Sequence, residues 1–182
     1  MPIIRLVRHG EASAGYAEHP DPGLSDRGRE QATVAADQLF DSGPVAIITS
    51  PMARAQETAA PLASRWGVTP SIEPSISEIP SPGLSPAERG PWLQALMTQT
   101  WRHAPSHVLD WRDGIAAALL ALEHDAVGFS HFVAINAALS VATESKHPRV
   151  AHLDHCSVTT FSTDNGRLEV VDVGGEADTV VL

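Results

Sequence analysis

Lysine is almost absent from this chain of 182 residues. Lys146 is the only lysine, and the formal net charge at pH 7 is −10. An acidic surface repels a phosphate backbone, so the composition argues against nucleic-acid binding. The few arginines stand in an acidic background of 22 Asp and Glu residues. A cluster of arginines in this chain is therefore informative about function.

Cysteine and long apolar runs are also scarce. Cys156 is the only cysteine, which excludes an intramolecular disulfide and suits a reducing compartment. The apolar run at the N-terminus is interrupted by Arg5 and Arg8, and it is too short for a signal peptide or a membrane span. We expect a cytoplasmic protein with no membrane partner.

The remaining composition is that of an ordinary globular protein. Hydrophobic residues make up 43% of the chain and charged residues 19%. The length suits one domain over residues 1–182, and no internal repeat or low-complexity linker divides it. No residue pattern selects between a monomer and a homodimer.

Short strand-like runs alternate with longer amphipathic helical ones. This pattern predicts a three-layer α/β/α sandwich with a mostly parallel central sheet. Buried strands are predicted at 3–7, 45–48 and 126–129. Helices are predicted after the cap residue Ser25 and over 53–66, 86–101, 109–124 and 133–143.

Two further segments differ from the alternating pattern. Residues 69–88 are rich in Pro and Ser, which predicts an extended segment that leads into a long loop. Near the end of the chain, 157–162 and 167–173 flank Asn165-Gly166. This dipeptide is a strong signal for a tight turn, so the two runs predict a β-hairpin.

Histidines and arginines follow the ends of the predicted strands. Arg8 and His9 end the first strand, Arg54 follows the second, and His131 ends a later one. In open α/β sheets, ligands bind outside the carboxyl ends of the strands. The sequence therefore predicts a crevice that gathers two histidines and two arginines.

Such a crevice suits chemistry on a phosphate group. Arginine offers a permanently charged planar fork that matches phosphate oxygens. A histidine that titrates near neutrality can act as a nucleophile or carry a proton. The chain has no P-loop pattern and no carboxylate cluster suited to magnesium. We expect arginine and histidine electrostatics to drive the reaction without a metal or another cofactor.

Six segments together resemble the histidine phosphatase (phosphoglycerate mutase-like) superfamily. They occur in the family's order over nearly the whole chain, and that order is far more specific than an RHG tripeptide alone. The segments are LVRHGEA (6–12), GLSDRGREQA (23–32), ITSPMARAQETA (48–59), SEIPSPG (77–83), GFSHFVAINAAL (128–139) and HLDHCSVTTFSTDNGRLEV (152–170).

The resemblance implies a phosphoglycerate mutase-like fold and assigns a role to each residue of the crevice. His9 would be the nucleophile that becomes phosphorylated. Arg8, Arg54 and His131 would bind the phosphoryl oxygens and stabilise the charge of the transition state. Glu78 would be the general acid that protonates the leaving group and the base that then activates water.

Other carboxylates near these motifs have alternative roles. Glu73 and Glu88 lie close to Glu78 in the sequence and compete with it for the role of general acid. Glu11 and Ser13 follow the RHG motif, and we expect them to line the substrate pocket.

Two other groups of residues favour a structural interpretation. His152 and His155 are three residues apart, but an extended segment does not gather metal ligands well at that spacing. Four residues of the 81–112 region would form either a lid over the substrate or a helix face that packs on the core, and the packed face is favoured: Arg89, Trp92, Trp101 and Arg102.

The chain departs from the family pattern at three points. Phe132 stands where many members have glycine after the second histidine, and Gly15 stands where mutases have asparagine. The segment between Glu78 and His131 is short beside that of true mutases. A mutase must keep water from the phosphoenzyme, so a short cover favours water as the acceptor.

These departures favour a phosphatase, which would act on a small phosphomonoester or on phosphohistidine in a protein. A phosphoglycerate mutase is the alternative within enzymes. A catalytically weak, phosphate-binding regulatory domain is the alternative outside them, and it is supported by Phe132 and by the atypical EIPSP loop (78–82).

Overall fold

A computed structural model describes residues 1–15 and 18–175 of the chain. In this part the strands are β1 (Ile3–Arg8), β2 (Ala46–Thr49), β3 (Ser71–Ile72), β4 (Ala126–Ser130), β5 (Val158–Asp164) and β6 (Arg167–Asp172). The α-helices are α1 (Asp26–Leu39), α2 (Ala53–Trp66), α3 (Pro86–Thr98), α4 (Ser106–Leu120) and α5 (Phe132–Ala142).

The strands form one sheet in the order β3-β2-β4-β1-β5-β6. The pairs β3–β2, β2–β4 and β4–β1 are parallel. Strand β5 is antiparallel to β1, and β6 is antiparallel to β5. The mostly parallel sheet predicted from the sequence is confirmed.

Helices cover both faces of the sheet. On one face, Leu62 of α2 packs in a cluster with Val7 and Phe129 of the sheet. On the other, Leu139 of α5 packs in a cluster with Leu6 of β1. Each face of the sheet therefore buries its own core, and the predicted three-layer α/β/α architecture is confirmed.

The predicted hairpin near the end of the chain is also confirmed. Asn165 and Gly166 join β5 to β6 with φ values of 50° and 73°. Asparagine and glycine tolerate such left-handed backbone better than other residues, which is why this dipeptide closes tight hairpins.

Two helices differ from their predicted bounds. Helix α4 begins at Ser106 instead of 109, because the carbonyl of Pro105 already accepts the N–H groups of Val108 and Leu109. The first turn also contributes Val108 to the core, and the helix ends at Leu120 instead of 124. Helix α3 ends at Thr98 instead of 101.

The Pro- and Ser-rich segment before α3 is largely irregular. It contains the two-residue strand β3, a 3₁₀ turn over Pro74–Ile76 and a loop that leads to α3. None of the helices within residues 1–15 and 18–175 is long and apolar enough to cross a membrane.

Candidate active site

The carboxyl ends of three neighbouring parallel strands meet at one edge of the sheet. Strand β1 ends at Arg8, Ser50 follows β2, and His131 follows β4. The backbone N–H of His9 donates to the carbonyl of Ser130 at 2.9 Å. The sheet register thus brings the residues after each strand to one place, as the sequence predicts.

Two glycines let the loop after β1 lie directly against the start of α1. A Cβ added to Gly10 would lie 2.6 Å from the carbonyl oxygen of Gly28. A Cβ added to Gly28 would lie 2.1 Å from the carbonyl oxygen of Glu11. Both distances are below van der Waals contact, so no side chain would fit at either position. Gly10 of the RHG motif and Gly28 therefore form one close backbone contact.

His9 is buried, and its tautomer is set by its neighbours. Nδ1 lies 2.7 Å from the carbonyl oxygen of Gly10. A carbonyl can only accept, so Nδ1 carries the proton. Nε2 accepts a hydrogen bond from Nε of Arg54 at 3.1 Å. The lone pair of Nε2 is therefore directed towards a cation.

Arg54 links three groups of the site. Its guanidinium is 2% exposed. Besides the contact with His9, Nη2 lies 3.1 Å from Nδ1 of His131 and 3.4 Å from Oε2 of Glu78. Nη1 lies 3.9 Å from Oδ1 of Asp21. One side chain thus holds both histidines and a carboxylate in place.

The start of α2 fixes Arg54. Asp21 accepts the backbone N–H of Ala53 at 2.9 Å and so satisfies one free donor at the helix start. The hydroxyl of Thr58 donates to the carbonyl of Arg54 at 2.6 Å and accepts the N–H of Gly10 at 3.0 Å. Thr58 therefore ties α2 to the loop that carries His9.

His131 is fully buried, and its ring centroid lies 5.2 Å from that of His9. Its Nδ1 faces Arg54, which only donates, so Nδ1 accepts. Nε2 carries the proton of the neutral ring and donates to Oγ of Ser50 at 2.7 Å. Ser50 thereby fixes the tautomer of the second histidine.

Both histidines are held in their neutral form. Burial lowers the pKa of His9 well below its usual value, and His131 and Arg54 lower it further. Burial also lowers the pKa of His131 well below its usual value, with the charges of Arg54, Arg89 and Arg8 acting in the same direction. The lone pair of His9 is therefore available at neutral pH.

Glu78 is the carboxylate at this site, and it is 12% exposed. Its Oε1 accepts the N–H of Ile79 at 3.0 Å, and its Oε2 lies 3.6 Å from Nδ1 of His131. The two competing carboxylates form hydrogen bonds within their own segments. Glu73 accepts the N–H of Ser75, and Glu88 caps the start of α3. The structure thus places Glu78 beside His131 and Arg54.

Glu11 and Ser13 lie outside this group of contacts. The carboxylate of Glu11 accepts from the hydroxyl of Ser25 at 2.7 Å and lies 3.8 Å from Arg27. Ser13 is exposed, and its N–H donates to the carbonyl of Gly23 at 2.9 Å. Their predicted role in lining the pocket stays a prediction.

Arg8 lies on the other side of His9. Its guanidinium lies 5.3 Å from the ring centroid of Phe132. Nη1 donates to the carbonyl of Leu153 at 2.7 Å, and Nη2 lies 3.0 Å from Nε2 of His155. Phe132 is buried, so the residue that departs from the family pattern packs against a predicted phosphate-binding arginine.

The sequence interpretation missed three side chains of this site: Asp21, Ser50 and His155. Asp21 and His155 lie in irregular segments, where no periodicity marks a side chain that faces a site. Ser50 directly follows β2. Its place between β2 and α2 was the available signal, because strand ends converge at this edge.

The arrangement combines a neutral imidazole with permanent cations and a carboxylate. These are the groups that transfer of a phosphoryl group to nitrogen requires. Within residues 1–15 and 18–175, no group of three or more His, Cys, Asp or Glu side chains is placed to hold a metal ion.

Residues 4–175 match the family model described as the histidine phosphatase superfamily, branch 1. The chain belongs to the histidine phosphatase superfamily. The resemblance seen in the sequence motifs is therefore confirmed over nearly the whole chain.

A curated relative in this superfamily is a glucosyl-3-phosphoglycerate phosphatase from Mycolicibacterium vanbaalenii. It is 34% identical over 119 residues, which are 62% of this chain and 49% of that protein. Two further curated relatives, both from Mycobacterium tuberculosis, are matched over 17% and 39% of their own length. The chain thus matches less than half the length of these curated relatives.

Solved structures of the superfamily share the fold over the full length. A mycobacterial glucosyl-3-phosphoglycerate phosphatase with inorganic phosphate aligns with a TM-score of 0.75 and 21% identity, over 99% of this chain and 100% of that one. A phosphoserine phosphatase from Entamoeba histolytica with phosphoserine aligns with a TM-score of 0.75 and 20% identity, over 94% and 96%. At this level of identity the likeness shows the fold.

Proposed function

We propose that the chain is a metal-independent phosphatase that forms a covalent phosphohistidine on Nε2 of His9. The observation that carries the proposal is the hydrogen bond from Nδ1 of His9 to the carbonyl of Gly10, at 2.7 Å. It fixes the proton on the far nitrogen of the ring. It leaves a lone pair on Nε2 beside Arg54, where the negative charge of a phosphoryl group is stabilised.

In the first step, Nε2 of His9 attacks phosphorus and the bond from phosphorus to the ester oxygen breaks. Arg54 and Arg8 hold the phosphoryl oxygens, and the N–H groups of Arg54 that now contact His9 and His131 turn to those oxygens. Glu78, in its protonated form, gives its proton to the departing oxygen, which would otherwise leave as an alkoxide.

In the second step, water attacks the phosphohistidine and the bond from phosphorus to Nε2 breaks. Glu78 is now a carboxylate and takes the proton of the attacking water. Inorganic phosphate leaves, and His9 returns to its neutral form. This use of one carboxyl group in both steps requires a position close to the reacting phosphorus, and the contacts of Glu78 with His131 and Arg54 support that position.

The substrate that we propose is a small phosphomonoester or a phosphorylated protein. Membership of the superfamily supports phosphate as the reacting group. The mycobacterial and Entamoeba proteins with the same fold are named for two different small phosphorylated substrates. That difference agrees with a shared phosphate site and a variable remainder of the pocket.

The test is phosphate release from an aryl phosphate in excess chelator, with wild type compared with His9→Ala. We expect release by wild type alone, with the same rate with and without chelator. His124→Ala is the matched control, because His124 is exposed and precedes the amino end of β4, whereas the site lies at the carboxyl ends of the strands. Release by His9→Ala at the wild-type rate would overturn the proposed nucleophile, and loss of release in chelator would overturn metal independence.

A further inference from the structure

A third histidine lies at the site and has no role in the two steps proposed above. His155 stands just before β5, and its ring centroid is 6.0 Å from that of His9. Its Nε2 lies 3.0 Å from Nη2 of Arg8. A guanidinium only donates, so Nε2 of His155 accepts this hydrogen bond and Nδ1 carries the ring proton.

The contacts of Arg8 show what the hydrogen bond does. The guanidinium is buried, and its two Nη groups are held by the same short segment, at the carbonyl of Leu153 and the ring of His155. Its Nε is buried and has no hydrogen-bond partner among the described residues. Leu153 and His155 therefore fix the plane of the guanidinium, and they occupy two of its five N–H groups.

The backbone places His155 in advance of any ligand. Cys156 has a φ of 59°, which turns the chain sharply after His155. The N–H of Cys156 donates to the carbonyl of Arg8 at 2.9 Å, and the N–H of Arg8 donates to the carbonyl of Ser157 at 3.1 Å. The segment is thus bound to the main chain of the residue whose side chain it holds.

The surroundings of His155 keep it neutral and able to accept. Burial and the charge of Arg8 lower the pKa of His155 to about 4, and Arg27 acts in the same direction. Asp154 and Glu11 oppose this shift. Above that pH the lone pair on Nε2 is present. Below it, a proton on Nε2 would remove the acceptor and place two cations side by side.

We propose that His155 is a positioning residue that orients Arg8 to bind the phosphoryl group. The inference rests on the proposed function, because it assumes that Arg8 binds phosphate. The carbonyl of Leu153 already anchors Arg8 to the segment, so anchoring alone does not require a second acceptor. The hydrogen bond to His155 therefore indicates a role in orienting the guanidinium.

The experiment measures binding of inorganic phosphate by calorimetry to wild type, His155→Leu and His155→Gln. Leucine removes the acceptor, and we expect affinity to fall about 10- to 100-fold, the usual effect of losing a hydrogen bond to a charged group. Glutamine can present an oxygen acceptor, so its affinity should return to within about threefold of wild type. His152→Leu is the control. His152 is an exposed neighbour of His155, so this variant should bind phosphate as wild type does.

The outcomes separate this inference from the proposed function. Absence of phosphate binding by wild type would count against the phosphate site itself. Binding by wild type and His155→Leu with equal affinity would overturn the role of His155 alone, and so would a glutamine variant as weak as the leucine variant. If His155→Leu fails to fold, His155→Ala with added imidazole replaces it. If imidazole restores phosphate binding by His155→Ala, the inference is supported. If His155→Ala binds phosphate as tightly as wild type without imidazole, the inference is contradicted.

Discussion

Single side chains decide the protonation states on which the chemistry depends. Arg54 donates to Nε2 of His9 and to Nδ1 of His131, and both rings are buried and neutral. In the free site, the positive charge of Arg54 is therefore directed at the ring lone pairs of both histidines. An incoming phosphoryl group offers the same arginine a dianion, which is the better acceptor. In the proposed mechanism, the substrate would therefore replace the two histidines as the partner of Arg54.

A prediction at this scale concerns Glu78. We expect Glu78→Gln to lower the turnover of an alkyl phosphate by about 10²- to 10⁴-fold, because the alkoxide leaving group needs a proton in the transition state. Phosphorylation of His9 by a nitrophenyl phosphate should be much less affected, since that leaving group departs without one. Rapid-quench measurement of the phosphorylation step with each substrate measures the difference, because the hydrolysis step that follows is common to both substrates.

The control for this prediction is Glu73→Gln. Glu73 was a competing carboxylate in the sequence, and its side chain accepts the N–H of Ser75 away from the histidines. It should leave the rates of both substrates close to wild type. An equal loss in the phosphorylation rate with both substrates in Glu78→Gln would contradict a role as general acid.

Secondary-structure elements carry the sequence motifs, and this is why so much of the site was visible in the sequence. The strand before His9 and the strand before His131 are short, buried runs with clear ends, so their carboxyl ends could be placed at one edge. The RHG glycine and Gly28 were seen only as parts of motifs. Their physical reason, a backbone contact too close for a Cβ, depends on the packing of α1.

Other parts of the site could not be placed from the sequence. Glu78 lies in an irregular loop, so its position rested on the resemblance and not on any periodicity. His155 was interpreted as a structural or surface residue, because nothing local marks a ring that meets Arg8 from a distance of 147 residues along the chain. The sequence also places the start of α4 three residues too late, although Pro105 directly precedes the helix as its N-cap residue.

Helix α3 provides a prediction at the scale of elements. Arg89 of α3 donates to the carbonyl of Ile79 at 3.3 Å and also contacts the hydroxyl of Ser81, so it links the helix to the loop that carries Glu78. We expect Arg89→Leu to lower kcat/KM for an alkyl phosphate about tenfold or more, because this charged hydrogen bond no longer holds the loop. Steady-state kinetics measure the change.

Arg102→Leu is the matched control, since Arg102 is exposed on the 3₁₀ turn that follows α3. It should change kcat/KM little. If Arg89→Leu has wild-type kinetics with an intact fold, the loop is held by other contacts and this prediction is wrong.

Over the whole molecule, buried neutral histidines make stability depend on pH. His9, His131 and His155 all have lowered pKa values, and that of His155 is about 4. In the unfolded chain a histidine titrates near about 6.5. Below that pH the unfolded state binds more protons than the folded state, so the free energy of unfolding falls as the pH falls. Each such histidine contributes a slope of up to about 1.4 kcal/mol per pH unit.

Urea unfolding between pH 5 and pH 7 tests this linkage. Replacing one buried histidine, in His131→Gln, should make the slope shallower by about 1.4 kcal/mol per pH unit below about pH 6. His124→Gln, at an exposed position, should keep the wild-type slope. Parallel curves for wild type and His131→Gln would show that His131 is not buried in its neutral form.

The proposed chemistry predicts one species that no other reading of this site requires, a phosphoryl group on His9. The most direct measurement is mass spectrometry of the protein, quenched within its first turnovers of nitrophenyl phosphate and digested to peptides. We predict one acid-labile phosphoryl group on the peptide that contains His9, with more of it in Glu78→Gln, where attack by water is slowed, and none in His9→Ala. Turnover without that group, or with the group on another residue, would contradict the phosphohistidine mechanism.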